Sequence, residues 1–234
     1  MLRSLKRLMR KFLFSRTIAK LLIIPVLKLH NLAYMLSGMY SNILNYGVHP
    51  KFHIVKYKNW FLNNIENQWN VLDIGSNTGL LAYALSEKAN KVYGIEIIEK
   101  LVSNAKKMNP KDNIEYIHAD ATKYDYKHCE PINCVVLSNV LEHIEHRIEF
   151  LIQIKESVKW KEEENKLFLI RVPSIDRDWI TLYKKEMGIE WRLDSTHFIE
   201  YTMETFTREI SESGLKILNI EVKFGEIYSV CKAN

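Results

Sequence analysis

From Trp69 onward the chain alternates short runs rich in Val and Ile with stretches of helical periodicity, and that alternation restricts the fold more than any other feature. Val71–Ile74, Val92–Ile95, Ile114–Ile117, Cys134–Leu137 and Leu167–Ile170 read as strands. Helical patterns over Leu80–Lys88, Glu99–Met108 and Arg147–Trp160 fall between them. Continuous apolar strands separated by helices predict a parallel sheet covered on both faces. The C-terminal part differs: a helix over Met203–Ser213 stops at Gly214, and two strand patterns, Leu215–Phe224 and Glu226–Cys231, meet at Gly225. A link that short forces an antiparallel pair. The prediction is an α/β fold with a Rossmann-like, mostly parallel seven-stranded sheet, a closing antiparallel hairpin and an N-terminal helical extension.

Charge divides the chain. Residues 1–65 hold eleven of the 33 basic residues and none of the 28 acidic ones, so the remainder is net acidic. The expected organisation is a basic helical extension over 1–65 and a sheet domain over 66–234, with 173–201 inserted as an acceptor-binding segment. An anionic partner is expected for the extension alone. The three cysteines, Cys129, Cys134 and Cys231, form no CxxC pair and read as reduced thiols of a cytoplasmic protein. No segment reads as a membrane span, because Pro25 interrupts the apolar run Leu21–Leu27.

The motif richest in chemistry is Val71-Leu72-Asp73-Ile74-Gly75-Ser76-Asn77-Thr78-Gly79, a strand, a tight turn and the start of a helix. Gly75 permits backbone angles and a close ligand approach that a side chain would block, and Gly79 lets the helix start against the sheet. Asp73 repels a diphosphate and attracts an ammonium group, which argues against a dinucleotide. Glu96 ends the second strand, where an acid can accept from both ribose hydroxyls. Asp120 and Ala121 follow the third strand, and Asp120 can accept from an adenine amine. Ser138-Asn139-Val140-Leu141-Glu142-His143-Ile144 follows the fourth.

In order and spacing these four segments resemble the successive motifs of class I S-adenosylmethionine-dependent methyltransferases, across residues 69–231. The resemblance implies S-adenosylmethionine as cofactor, with Asp73, Gly75, Ser76, Asn77 and Gly79 at the methionine part and Glu96 and Ile97 at the ribose. It sets Asp120 and Ala121 beside the adenine, with Asn139 and Leu141 closing the pocket. Where some relatives carry an ExxEH metal motif, this chain has Asn139, Glu142 and His143, two good ligands and an amide; no metal is expected.

For an oxygen acceptor a base must take a proton, and His143 and His197 are the candidates. Gly47–His53, Arg171-Val172-Pro173, Arg177-Asp178-Trp179 and Asp194–Tyr201 resemble methyltransferases of bacterial surface-glycan clusters. That implies O-methylation of a sugar or glycan precursor. A small aromatic acceptor, RNA and a non-catalytic adenosine-binding role are the alternatives; nucleic acid is not expected, because the basic extension lacks interleaved aromatics until Tyr34. Over residues 1–30, Leu2, Leu5, Leu8, Met9, Phe12 and Leu13 recur at helical spacing among basic residues. That face either packs on its own domain or on a twin subunit of a homodimer, or lies on an anionic inner membrane surface.

Overall fold

The computed structural model describes residues 13–162 and 166–233. They divide into two compact units: the N-terminal residues to Ile54 with Trp179–Trp191, and Val55–Asp178 with Arg192 onward. This division falls between residues 54 and 55, and Trp179–Trp191, part of the segment expected to bind the acceptor, groups with the N-terminal unit.

The larger unit is built on one seven-stranded sheet: β1 (Asn70–Ile74), β2 (Lys91–Glu96), β3 (Ile114–His118), β4 (Cys134–Ser138), β5 (Leu167–Pro173), β6 (Leu215–Lys223) and β7 (Glu226–Ala233). The order is β3-β2-β1-β4-β5-β7-β6. Strands β1 to β5 pair in parallel, and β7 runs antiparallel to both β5 and β6. The fold class is as the sequence predicts. Strand β1 lies between β2 and β4, so the chain reverses its direction of travel across the sheet at that point. Crevices at such reversals, outside the carboxyl ends of the strands, are where open α/β sheets bind ligands.

The helices of this unit follow from the periodicity. α5 (Glu99–Met108) has the predicted bounds, whereas α4 (Leu80–Leu85) and α6 (Arg147–Ser157) stop about a turn early. α8 (Met203–Glu212) opens on a capping box between Thr202 and Thr205. At the β6–β7 turn Phe224 and Gly225 have φ of 51° and 73°, the twist that a two-residue hairpin loop requires. Leu72, Ile74, Val135, Leu137, Phe168 and Ile170 join Phe150 and Ile154 of α6 and Phe206 of α8 in one buried cluster. α3 (Tyr57–Asn63) adds the fully buried Phe61.

In the N-terminal unit, α1 spans Arg16–Leu44 and continues through Pro25. Its 29 residues make it long and apolar enough to cross a membrane by length and composition, which corrects the expectation that no segment reaches that length. A proline loses one backbone bond and kinks a helix, but the flanking residues carried the helix on. Within the unit Asn31 donates to the Glu190 carbonyl at 2.7 Å, and Lys184 Nζ lies 3.0 Å from His30 Nδ1. The predicted irregular connection contains a helix, α7 (Trp179–Glu186). α2 (Lys51–Val55) ends at the boundary. Residues 1–12, which carry most of the predicted amphipathic pattern, lie outside the described residues.

Candidate functional site

The ends of β1 and β2 and the turns that follow β1 to β4 lie at one edge of the sheet, and they hold all the residues expected to bind a cofactor. Parallel pairing sets Ile74 beside Ile95. The amides of Gly75 and Ser76 both donate to the Ile95 carbonyl, at 2.8 and 3.0 Å. The first turn is thereby tied to the second strand. Gly75, Asn77, Gly79 and Asn139 all have positive φ, between 51° and 78°, a region that glycine and asparagine tolerate best.

What a side chain at Gly75 would strike is the protein itself. A Cβ there would lie 2.5 Å from Val140 Cγ2, and one at Gly79 would lie 2.5 Å from the Tyr116 hydroxyl. The first close contact joins the turn after β1 to the turn after β4. The second presses the start of α4 onto β3, as expected of Gly79. Gly75 therefore serves close packing between turns, where the sequence reading gave it ligand approach.

Asp73 is buried at the end of β1, and its Oδ2 has no hydrogen-bond partner among the described residues. Burial, with a smaller contribution from the Glu96 charge, pushes its carboxyl up to about 8. Ser76 Oγ and Asn139 Oδ1 are also buried without partners. Three orphaned polar atoms in two touching turns fit a polar ligand there, since burying such atoms unpaired costs free energy. An ammonium would satisfy the Asp73 oxygen. The donor set thus fits the amino-acid end of S-adenosylmethionine.

Glu96 is buried with a carboxylate already in use: Oε2 accepts from the Asn77 amide and Oε1 from the Ile98 amide, both at 2.9 Å. Each oxygen keeps a lone pair for a ribose hydroxyl. Ile97 is exposed beside it. Asp120 Oδ1 accepts from the Thr122 amide and hydroxyl, and its Oδ2 lies 3.1 Å from Lys123 Nζ. The Thr122 bonds hold its carboxyl below the ordinary range. Asp120 shapes its own turn first, next to half-buried Ala121. Leu141 is buried in the core cluster.

The two candidate histidines meet. His143 closes a short helical turn after β4, His197 comes from the segment after α7, and their ring centroids lie 4.6 Å apart, edge to face. Thr196 Oγ1 donates to Asp194 at 2.8 Å and therefore accepts from His143 Nδ1 at 3.0 Å. His197 Nδ1 donates to Glu200 Oε1 at 3.2 Å, and Glu200 also pairs with Arg177. Burial, reinforced by His197, lowers the His143 pKa. Trp179, Tyr183 and Trp191, aromatic residues of the segment expected to bind the acceptor, belong to the N-terminal unit.

Sequence reasoning missed the surroundings. Glu142 is 1% exposed, and burial pushes it up to about 8. Behind it the buried Arg171 pairs with Glu226 and lies 4.2 Å over the Tyr57 ring. The available signal was an arginine inside the apolar run of β5, since buried charges are paired.

Residues 72–160 match the family model described as a methyltransferase domain. An uncharacterized protein of Methanocaldococcus jannaschii is 31% identical over 110 residues, 46% of this chain and 42% of that protein. Ribosomal RNA small subunit methyltransferase A of Ligilactobacillus salivarius is 36% identical over 73 residues, 29% of this chain and 25% of that protein. The chain thus spans less than half the length of these curated relatives. Among solved structures, a putative methyltransferase crystallised with the Haloferax volcanii Trm112 methyltransferase activator superposes with a TM-score of 0.61 at 14% identity, covering 78% of this chain and 89% of that one. Magnesium protoporphyrin IX methyltransferase of Synechocystis, with bound SAH, superposes with a TM-score of 0.56 at 16% identity, covering 76% and 81%.

Proposed function

We propose that this chain, which carries a methyltransferase domain of the class I S-adenosylmethionine-dependent fold, methylates a hydroxyl of a sugar or glycan precursor. The observation that carries the cofactor part is the trio of orphaned oxygens on Asp73, Ser76 and Asn139 at the edge where the strand order reverses. Asp73 and the turn Gly75–Gly79 would hold the methionine part, Glu96 the ribose, and Ala121 with Asp120 the adenine side. When bound, S-adenosylmethionine supplies a methyl group on a positively charged sulfur. The chain aligns the acceptor with that methyl, excludes water and helps the hydroxyl lose its proton. We assign the last task to the site that His143 and His197 build, side by side and with both Nδ1 atoms tied to neighbours.

The test is incubation with methyl-labelled S-adenosylmethionine and a panel of nucleotide-activated sugars, oligosaccharides, small phenols and ribosomal RNA transcripts. Label in a sugar, lost when His143 and His197 are both replaced by Asn, is the expected result. Label in RNA or phenol alone would overturn the acceptor. Cofactor binding without any transfer would favour an adenosine-binding role.

A second reading concerns location. Only Leu27 of α1 is buried, while Leu22, Val26, Leu29, Tyr34, Met39 and Ile43 are exposed. With the basic residues of the N-terminal quarter this fits a helix that rests on an anionic lipid surface. Co-sedimentation with anionic and neutral vesicles tests it: salt-sensitive binding to the anionic set supports the reading. Equal, negligible binding to both would leave packing on protein, including a second copy.

A further inference from the structure

Glu142, His143 and His197 each offer a ligand atom, and these atoms lie within 4.8 Å of one another. The sequence brings only the first two together; His197 arrives from 54 residues downstream. Two independent features mark the trio as a binding site. Glu142 is 1% exposed, and both of its carboxylate oxygens lack a hydrogen-bond partner among the described residues. A buried carboxylate with neither oxygen satisfied is rare in folded proteins, because each bare oxygen costs free energy that a partner would recover.

The second feature is the protonation pattern of the histidines. Thr196 spends its hydroxyl hydrogen on Asp194, so it must accept from His143 Nδ1–H. Glu200 is held as an acceptor by Arg177 and the Leu193 amide, so it takes the hydrogen of His197 Nδ1. With Nδ1 protonated on both rings, each Nε2 carries a lone pair. A ligating histidine characteristically donates its other N–H to a carboxylate or an oxygen that fixes its tautomer. Here Glu200 does this directly, and Asp194 does it through Thr196.

We propose that Glu142, His143 and His197 bind a divalent transition cation that acts on the acceptor hydroxyl. Two imidazoles and one carboxylate suit Zn²⁺, Mn²⁺, Fe²⁺ or Co²⁺ better than Mg²⁺ or Ca²⁺, which favour all-oxygen shells. Bonds of about 2.1 Å in a tetrahedral shell separate ligand atoms by about 3.4 Å, so a closure of up to about 1.4 Å completes the set. Three protein ligands leave open positions, the arrangement of a catalytic rather than a structural site. Resting on the methyltransferase reading, the cation's task is to bind the acceptor oxygen and lower its pKa. The hydroxyl proton passes to water, the oxygen forms a bond to the methyl carbon, and the carbon–sulfur bond breaks with its electron pair staying on sulfur. Asp194, Thr196 and Glu200 are positioning residues.

The experiment titrates the full-length, chelator-treated chain with Co²⁺ alone and follows its visible absorption, with SAH binding measured in parallel by calorimetry. The expected result is one Co²⁺ per chain. Affinity should fall at least tenfold in Glu142→Gln and His197→Asn, and about tenfold in Glu200→Gln. His146→Asn, an exposed histidine outside the trio, should bind as the parent does. Absence of Co²⁺ binding in a parent that binds SAH would overturn the cation site and leave the methyltransferase reading intact. Co²⁺ binding equal in parent and variants would overturn the ligand assignment. Site-specific Co²⁺ binding without SAH binding would overturn the cation's role in methyl transfer.

Discussion

Replacing Asp73 with Asn should stabilise the ligand-free protein at neutral and alkaline pH, and by an amount that grows with pH. The folded state holds the Asp73 carboxyl at about 8 against an ordinary value of 3.8, so the folded chain binds that proton more tightly than the unfolded chain. Below pH 3.8 the group is neutral in both states and costs nothing. From there each pH unit removes about 1.4 kcal/mol of stability until pH 8, after which the loss is constant. The penalty is roughly 2 kcal/mol at pH 5 and levels off at roughly 6 kcal/mol by pH 9. A buried asparagine amide gives back about 1–3 kcal/mol, which shifts the whole curve without changing its slope. Urea unfolding of parent and Asp73→Asn at pH 5, 7 and 9 measures this. The variant's advantage should increase by about 4 kcal/mol between pH 5 and pH 9. Parallel pH profiles, or a variant that loses ground as pH rises, would refute the placement of an unsatisfied carboxyl at the end of β1. The same variant should lose SAH affinity at least tenfold, since the oxygen left bare for an ammonium is gone.

Gly75→Ala should cost about 2–4 kcal/mol in urea unfolding, because φ is +71° and the new Cβ would lie 2.5 Å from Val140 Cγ2; a cost under 1 kcal/mol would contradict the close turn packing. Glu226→Ala should cost about 3–5 kcal/mol by leaving Arg171 buried without its partner, and Arg171→Met with Glu226→Leu should recover most of it. Thr202→Ala should cost about 1 kcal/mol through loss of the α8 capping box, read as a lower unfolding midpoint with unchanged SAH binding.

The sheet was legible because its central strands β1, β2, β4 and β5 are buried along nearly their whole length and read as mostly apolar runs, with Gly214 and Gly225 marking the ends of the last elements. The turns expected to hold the cofactor stood out because positive-φ positions leave a glycine or asparagine signature at Gly75, Asn77, Gly79 and Asn139. Helix ends were less so: α4 stops at Leu85, where Ser86 takes the C-cap and the polar run Glu87-Lys88 leads into the turn before β2. The helix through Pro25 was missed because a local rule about proline was set against 29 residues of otherwise favourable sequence. His197 and Glu142 could not be joined by spacing, since tertiary folding alone brings a loop near residue 197 to the turn after β4. The expectation of no metal weighed Asn139, Glu142 and His143 as neighbours in sequence and did not include His197.

Calorimetric titration of the full-length chain with SAH reads out whether the ends of β1 and β2 and the turns after β1 to β4 form a pocket for S-adenosylmethionine. One binding site per chain is expected, weakened by about 1–3 kcal/mol in Glu96→Gln, which loses the charge facing the ribose and keeps an acceptor for only one of the two turn amides. A folded parent that takes up no SAH, or one whose affinity is unchanged in both Glu96→Gln and Asp73→Asn, would contradict it.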